Sequence, residues 1–470
     1  MVEIVSYIVA VAPFLVAGIA LLGLRWSAVW SGVATLMVAL GGAVFWPVLD
    51  PSGLPQAFVM GLATTAKVLY VLFGGLLLYN VLSAGGAVDA VSRFLGEIEP
   101  DKEALAIGVV VGVAPFFESV TGFGVAVVIS APILLAAGFS PLRAAVLASW
   151  GQCAVPWGAL GVGTVIGADL SGLSFGQLSN TSALLNLPLY PVYGLAAVFL
   201  AGGWSGVHRR GLEALFLGLA AGFGTLFTSL YLIPELSGAV GGLVASAFFL
   251  AARWRRLRGL NIPVRALLPY GFLLTLLALA NGVAPVRSML EKLGPVFTGP
   301  GLPLLISCVF ASALLGLTAG SFGSAGWKTV FQWLPTAGAV LTFVAAGQVV
   351  SVSGAAAILA SGAAAFGGYY PLAAPVIGAL GGVLTGSNAA SNALFMPLQI
   401  EAARGVGASH MLIAAIQNVS GSHASLLAPQ RAILAATATG LLGREGEVVR
   451  MALLPVAVSI AILAVIGFAL

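Results

Sequence analysis

The sequence predicts an all-α polytopic membrane protein, with about twelve transmembrane helices plus two re-entrant hairpins in two inverted-topology repeats with broken helices. Three observations predict it. Hydrophobic residues make up 60% of the 470 and charged residues only 7%, against roughly 45–50% and 25% in soluble domains. Apolar runs near the roughly 20 residues needed to cross a bilayer recur along the chain. These runs are continuous rather than alternating, which argues against a spanning β-barrel. Finally, the chain echoes itself in order at a spacing of roughly 260–268 residues, in the manner of the internal repeats of secondary transporters.

The first half is read as residues 1–207. Spans are expected at 4–24, 26–47, 55–83 and 190–203. The first of these has neither a basic leading segment nor a small-residue cleavage site, so it reads as a retained span rather than a signal peptide. Residues 86–97 place Asp89, Arg93 and Glu97 on one face, the pattern of an interfacial amphipathic helix. Residues 103–138 read as a hairpin. They are split by Phe117-Glu-Ser-Val-Thr-Gly-Phe-Gly124 into arms of about a dozen apolar residues, too short to cross alone. Span 141–168 is broken near Gly151-Gln-Cys-Ala-Val-Pro-Trp-Gly158.

Residues 208–262 are read as connecting helices, with spans at 211–231 and 234–252. They are preceded by Arg209 and Arg210 and followed by Arg253, Arg255, Arg256, Arg258 and Arg265, so both clusters lie on one side of the membrane. Clustered arginines mark the cytoplasmic side, so both termini are expected outside. The second half, 263–470, has spans at 266–283, 301–318, 326–350 and 449–470, a hairpin at 369–404 and a broken helix at 409–439. The second hairpin is split by Thr385-Gly-Ser-Asn-Ala-Ala-Ser-Asn392, and the second broken helix is interrupted near Gln417-Asn-Val-Ser-Gly-Ser-His423 and at Pro429. Thr121-Gly122 recurs as Thr385-Gly386, Pro132 as Pro397, Gln152 as Gln417 and Lys67 as Lys328. Span 4–24 runs inward and span 266–283 outward, so the halves are inverted.

Several function classes fall away. The net charge of +4 comes from short loops and does not indicate nucleic-acid binding. Cys153 and Cys308 form no disulfide framework or metal cluster. Gly122-Phe-Gly124 lacks the βαβ surroundings of a dinucleotide fingerprint, and there is no Walker loop or His-Glu-x-x-His pair. No cofactor, resident metal or catalytic dyad is called for, so an enzyme is not expected.

The polar breaks carry the candidate site. Half-helix N-termini at membrane depth offer unpaired N–H groups and positive partial charge, which suit a carboxylate without a dedicated arginine. Candidate binding residues are Ser119, Thr121, Gly122, Phe123, Gly124, Gln152, Thr385, Gly386, Ser387, Asn388, Ser391, Asn392, Gln417, Asn418 and His423. The same Asn and Ser residues would also suit a solvated loop, but the short arms favour binding. Glu118 is an ionisable group inside the membrane, which is costly and usually functional. It is the first candidate for proton carriage, with His423 the second. The bland reading of Glu118 is a partner for Lys67, Arg143 or Lys328. Lys67 and Lys328 would balance charge for an anion or reach to the interface.

At these breaks the sequence resembles the L-lactate permease family. The resemblance lies in Glu118-Ser-Val-Thr-Gly-Phe-Gly124, Ala126-Val-Val-Ile-Ser-Ala-Pro132, Gly138-Phe-Ser-Pro-Leu142 and Pro156-Trp-Gly-Ala-Leu-Gly161. It continues in Thr385-Gly-Ser-Asn388, Ser391-Asn392, Pro429-Gln430 and Thr439-Gly-Leu-Leu-Gly-Arg-Glu-Gly446. It implies a bacterial inner-membrane importer of lactate or a related 2-hydroxy monocarboxylate such as glycolate, coupled to protons. Elevator-type movement is a further analogy, to the wider superfamily of carboxylate carriers. Four positions depart from the family pattern: Asn388 stands where an acidic residue is usual, Ser425 where a lysine is common, and Ser119 and Thr121 where small residues are usual. A Na⁺-coupled carrier and an anion channel are the alternatives. The partners are then a small monocarboxylate anion, a proton and the bilayer, with a homodimer a candidate assembly.

Overall fold

In a computed structural model, which describes residues 2–122, 124–294 and 297–470, the described chain is helical throughout. Ten helices are long and apolar enough to span a membrane, and a bent pair makes an eleventh. The expected elements are present, but the expected twelve spans divide differently. The segments at 190–203 and 211–231 form one element, Leu189–Tyr231, which turns at Gly203 (φ 61°, ψ −155°). Its two limbs fold back on each other, since a Cβ on Gly218 would lie 2.6 Å from the Cα of Pro191. The helix Gly301–Leu315 is only 15 residues long.

The hairpin arms also differ from expectation. The first hairpin pairs Lys102–Thr121 with Val125–Ala136. Its leading arm has 20 residues rather than about a dozen, and it is buried from Glu103 onward. At 1.5 Å per residue that is long enough to cross. A π-helical stretch, Gly108–Val113, lies within it, a feature often found at functional sites. The second hairpin pairs Tyr370–Thr385 with Asn388–Val406. The arms return on each other: Lys102 Nζ donates to the Gly138 carbonyl at 2.7 Å, and Gln399 Nε2 to the Ala374 carbonyl at 2.8 Å. Each hairpin is followed by a broken helix. The first joins Pro141–Trp150 to Val155–Ser171 through a 63° bend. The second joins His410–Ala424 to Pro429–Thr439.

The long helices Leu54–Ala84 and Ala319–Val352, third in their respective halves, pack along each other. Asn80 Nδ2 donates to Thr329 Oγ1 at 3.0 Å and to Gln332 Oε1 at 2.8 Å, and the Trp333 indole donates to the Leu69 carbonyl at 2.9 Å. Helix Ala87–Ile98 has the expected amphipathic character, burying Ala87, Val91, Phe94, Leu95 and Ile98 on one face.

Most of the arginines that flank the connecting helices are neutralised by acids. Arg253 pairs with Glu99 and with Glu213, the latter at 2.8 Å, and Arg256 also meets Glu99. Arg210 bonds Asp101 at 2.6 Å, and Arg209 bonds Glu103. Burial raises the pKa of Glu99, but the Asp101 backbone N–H and the Arg256 and Arg253 guanidiniums outweigh it, so its carboxyl is held below the usual range. This network ties the start of the first hairpin to the connecting helices.

Candidate substrate site

The first tip forms where Lys102–Thr121 stops at Gly122 (φ 69°). Glu118, 1% exposed, turns its carboxylate back onto the backbone N–H of Gly124, at 3.1 and 3.4 Å to its two oxygens. The carboxylate thus occupies the positive end of Val125–Ala136. Thr121 spends its hydroxyl on the Phe117 carbonyl at 2.6 Å. Ser119 faces the helix Ser237–Ala252, where a Cβ on Gly238 would come within 2.3 Å of its Oγ. Phe123 lies outside the described residues.

At the second tip Gly386 adopts φ 61° and Ser387 caps the following helix, accepting from the Ala390 N–H at 3.4 Å. Thr385 donates to the Gly381 and Ser387 carbonyls at 2.8 and 3.0 Å. Asn388 and Asn392, one turn apart, both donate to Asn418 Oδ1, at 2.9 and 2.8 Å. Asn392 also reaches the Gly163 carbonyl at 2.9 Å. Asn418 in turn donates to Thr164 Oγ1 at 3.0 Å and Ser182 Oγ at 2.9 Å. Gly163 permits this approach, because a Cβ there would lie 2.5 Å from Asn388 Nδ2. The second hairpin tip is therefore seated on the first broken helix.

The breaks complete the site. In the first, Ala159 and Leu160 take left-handed backbone angles (φ 49° and 58°) without being glycine, a strain that concentrates at functional sites. In the second, Gln430 Nε2 donates to the Thr385 carbonyl at 2.6 Å and Arg431 Nε to the Gly386 carbonyl at 3.0 Å. These bonds satisfy carbonyls left open at the end of Tyr370–Thr385. Arg431 Nη1 donates to Gln152 Oε1 at 2.6 Å and lies 3.6 Å from Glu118 Oε1. One guanidinium thus touches the first hairpin, the first break and the second hairpin.

These groups bound a cavity of about 430 Å³. Its polar side holds Glu118, Ser387, Asn388, Gln430 and Arg431, and the two long helices give it a mainly apolar lining, Leu72, Pro335, Val340 and Phe343, with Thr336 among them. Gly122, Thr385 and Gly386 also line it. Gln152, Ser391, Asn392, Gln417 and Asn418 stand behind this surface and hold it. Gln417 bonds Ser391 Oγ at 3.2 Å and accepts from Gln399 at 3.1 Å. His423 is also behind it, with one ring nitrogen 2.9 Å from the Tyr193 hydroxyl and the other 2.6 Å from Asn186 Oδ1. Among the described residues, Gln152 Nε2, Asn388 Oδ1, Asn392 Oδ1 and Ser119 Oγ are buried without a hydrogen-bond partner.

Two expectations change. The site does contain a dedicated arginine, Arg431, and that arginine is the charged partner of Glu118 in place of Lys67, Arg143 or Lys328. Lys67 borders a separate cleft of about 850 Å³, while Lys328 and Arg143 are exposed. The sequence did carry a signal: Arg431 is the one lysine or arginine within the stretch 409–439, two residues after a helix-starting proline.

The family model described as L-lactate permease matches residues 6–261 and 294–470. An L-lactate permease of Streptococcus iniae is 29% identical over 74% of this chain and 80% of its own length. The glycolate permease GlcA and an L-lactate permease, both of Escherichia coli strain K12, are each 25% identical over 95% of this chain and 92% of their own lengths. The backbone also resembles the YdaH transporter of Alcanivorax borkumensis, with a TM-score of 0.47 and 17% identity over 89% of each chain.

Proposed function

The chain belongs to the L-lactate permease family, a multi-pass transporter and not an enzyme, and on that premise we propose that it imports a small 2-hydroxy monocarboxylate, L-lactate, D-lactate or glycolate, by proton symport. The bacterial inner membrane is its place, with both termini outside.

The ion pair of Glu118 and Arg431 carries the reading. With Glu118 ionised, the cavity's two charges cancel and a substrate carboxylate would meet a guanidinium already neutralised. Protonating Glu118 leaves Arg431 as an uncompensated cation, and a guanidinium binds a carboxylate well. Proton and anion therefore favour each other's binding, which is the thermodynamic requirement for symport.

The cavity's two faces support alternating access of elevator type. The polar groups belong to hairpins and broken helices bonded to one another through Asn418 and Arg431. The facing wall on Leu54–Ala84 and Ala319–Val352 is mostly apolar, Thr336 apart, and a body sliding along it would have to release the bond from Thr64 to Asp169 at 2.5 Å. The matching order of long helix, hairpin and broken helix in each half supports an inverted repeat.

The test is uptake of labelled L-lactate and glycolate into proteoliposomes, with the pH and Na⁺ gradients imposed separately. Accumulation driven by an inward proton gradient is expected. Accumulation driven only by Na⁺ would replace the coupling ion, and flux that never exceeds equilibrium would indicate a channel.

A further inference from the structure

We propose that Asn388 reads the 2-hydroxyl group of the substrate, and that through it the carrier selects 2-hydroxy acids over the corresponding 2-oxo acids. This rests on the monocarboxylate reading above and adds the determinant of selectivity.

Asn388 borders the cavity yet is only 5% exposed. Its amide nitrogen is committed to Asn418 Oδ1 at 2.9 Å. Asn418 cannot turn away, because it also accepts from Asn392 at 2.8 Å and donates to Thr164 and Ser182. The planar amide is thereby fixed, with its nitrogen toward Asn418 behind the cavity wall. Its oxygen, itself buried, has no hydrogen-bond partner among the described residues. A buried acceptor without a donor is costly, and a ligand that supplies one recovers that cost.

Arg431 fixes where the ligand's carboxylate lies. Its Nε is bonded to the carbonyl of Gly386, two residues before Asn388 on the same tip. A carboxylate on the guanidinium brings the adjacent carbon within reach of that tip. A 2-hydroxyl there donates to Asn388 Oδ1. A 2-oxo group presents a second acceptor to the same oxygen and has no proton to offer, so it is repelled. An unsubstituted acid gains nothing and is not repelled. The expected order is therefore lactate and glycolate first, propionate next and pyruvate last. Sites that hydrogen-bond a substrate hydroxyl discriminate more strongly than apolar pockets do.

The test measures inhibition of labelled uptake, of whichever of L-lactate or glycolate the wild type carries, by unlabelled lactate, propionate and pyruvate. For the wild type, pyruvate should need a concentration about tenfold higher than lactate for the same inhibition. In Asn388→Ala, and in Asn388→Ser, whose hydroxyl can both donate and accept, the two acids should come within about twofold. Each purified variant is also heated with and without lactate or pyruvate, so that a variant that does not transport is still read by the melting shift each acid gives. A wild type without the preference, or an Asn388→Ala variant that keeps it, overturns the proposal. A folded Asn388→Ala variant that binds neither acid does so too, since Asn388 then builds the site rather than reading the substrate. Failure of the wild type to carry either labelled acid contradicts the monocarboxylate reading itself.

Discussion

Glu118 and Arg431 come from opposite halves of the chain and meet at 3.6 Å beside the cavity. Their side chains are 1% and 13% exposed. Two opposite charges removed from water depend on each other, because removing one partner leaves a buried charge uncompensated. The pair therefore joins the two halves structurally as well as electrostatically.

Arg431→Ala should abolish concentrative uptake and lower stability by about 3 kcal/mol, the cost of orphaning a buried carboxylate. Arg431→Lys keeps the charge but loses the planar fork that reaches Gly386, Gln152 and the substrate together. Its KM should rise about tenfold with a smaller loss of stability. Transport kinetics and thermal unfolding of the purified variants check both statements.

Gly163→Ala should destabilise the protein by about 1–3 kcal/mol, because the new methyl would press on Asn388 and there is little room to repack. Transport should fall with it. Gly96→Ala is the control. That glycine lies within a helix with nothing near its would-be Cβ, and the substitution should be neutral or stabilising by a few tenths of a kcal/mol. Melting temperatures of the two variants test the contrast.

Glu99→Gln should loosen the tie between the first hairpin and the connecting helices, measured as a lower melting temperature at pH 7. The pH dependence follows from the lowered pKa of Glu99. Its stabilising contribution is fully present above the unfolded carboxylate value and is lost as pH falls through the lower folded value. The wild type should lose stability across that acidic interval, and Glu99→Gln should lose less.

His423→Gln should lower stability by about 1–3 kcal/mol, since Tyr193 and Asn186 lose their buried partner. It should leave accumulation driven by a pH gradient in place, because both ring nitrogens are engaged behind the cavity. Parallel unfolding and uptake assays separate the two effects.

The sequence disclosed the hairpins and breaks because each is a short polar, glycine-rich interruption of an apolar run, and membrane-depth irregularity has few structural explanations. It also singled out Glu118 and Thr385–Asn388, which border the cavity, together with Ser391 and Asn392, which stand behind it. Residue type alone did not separate the groups that line the space from those that hold them. Asn418 and Gln152 are as polar as Asn388, yet one anchors two asparagines and the other steadies Arg431. Arg431 is hard to single out from residue type, because the positive partial charge of helix ends already suits an anion without an arginine. The full length of Lys102–Thr121 is hidden in the sequence because its helix runs on through a π-helical stretch and past the start of the polar break to Thr121.

The most direct test of the central claim compares accumulation with exchange in Glu118→Gln. A neutral amide there keeps Arg431 available to the substrate but carries no proton. The account predicts normal exchange of labelled for unlabelled substrate across the membrane, with no accumulation under an inward proton gradient. Undiminished proton-driven accumulation by this variant would contradict it.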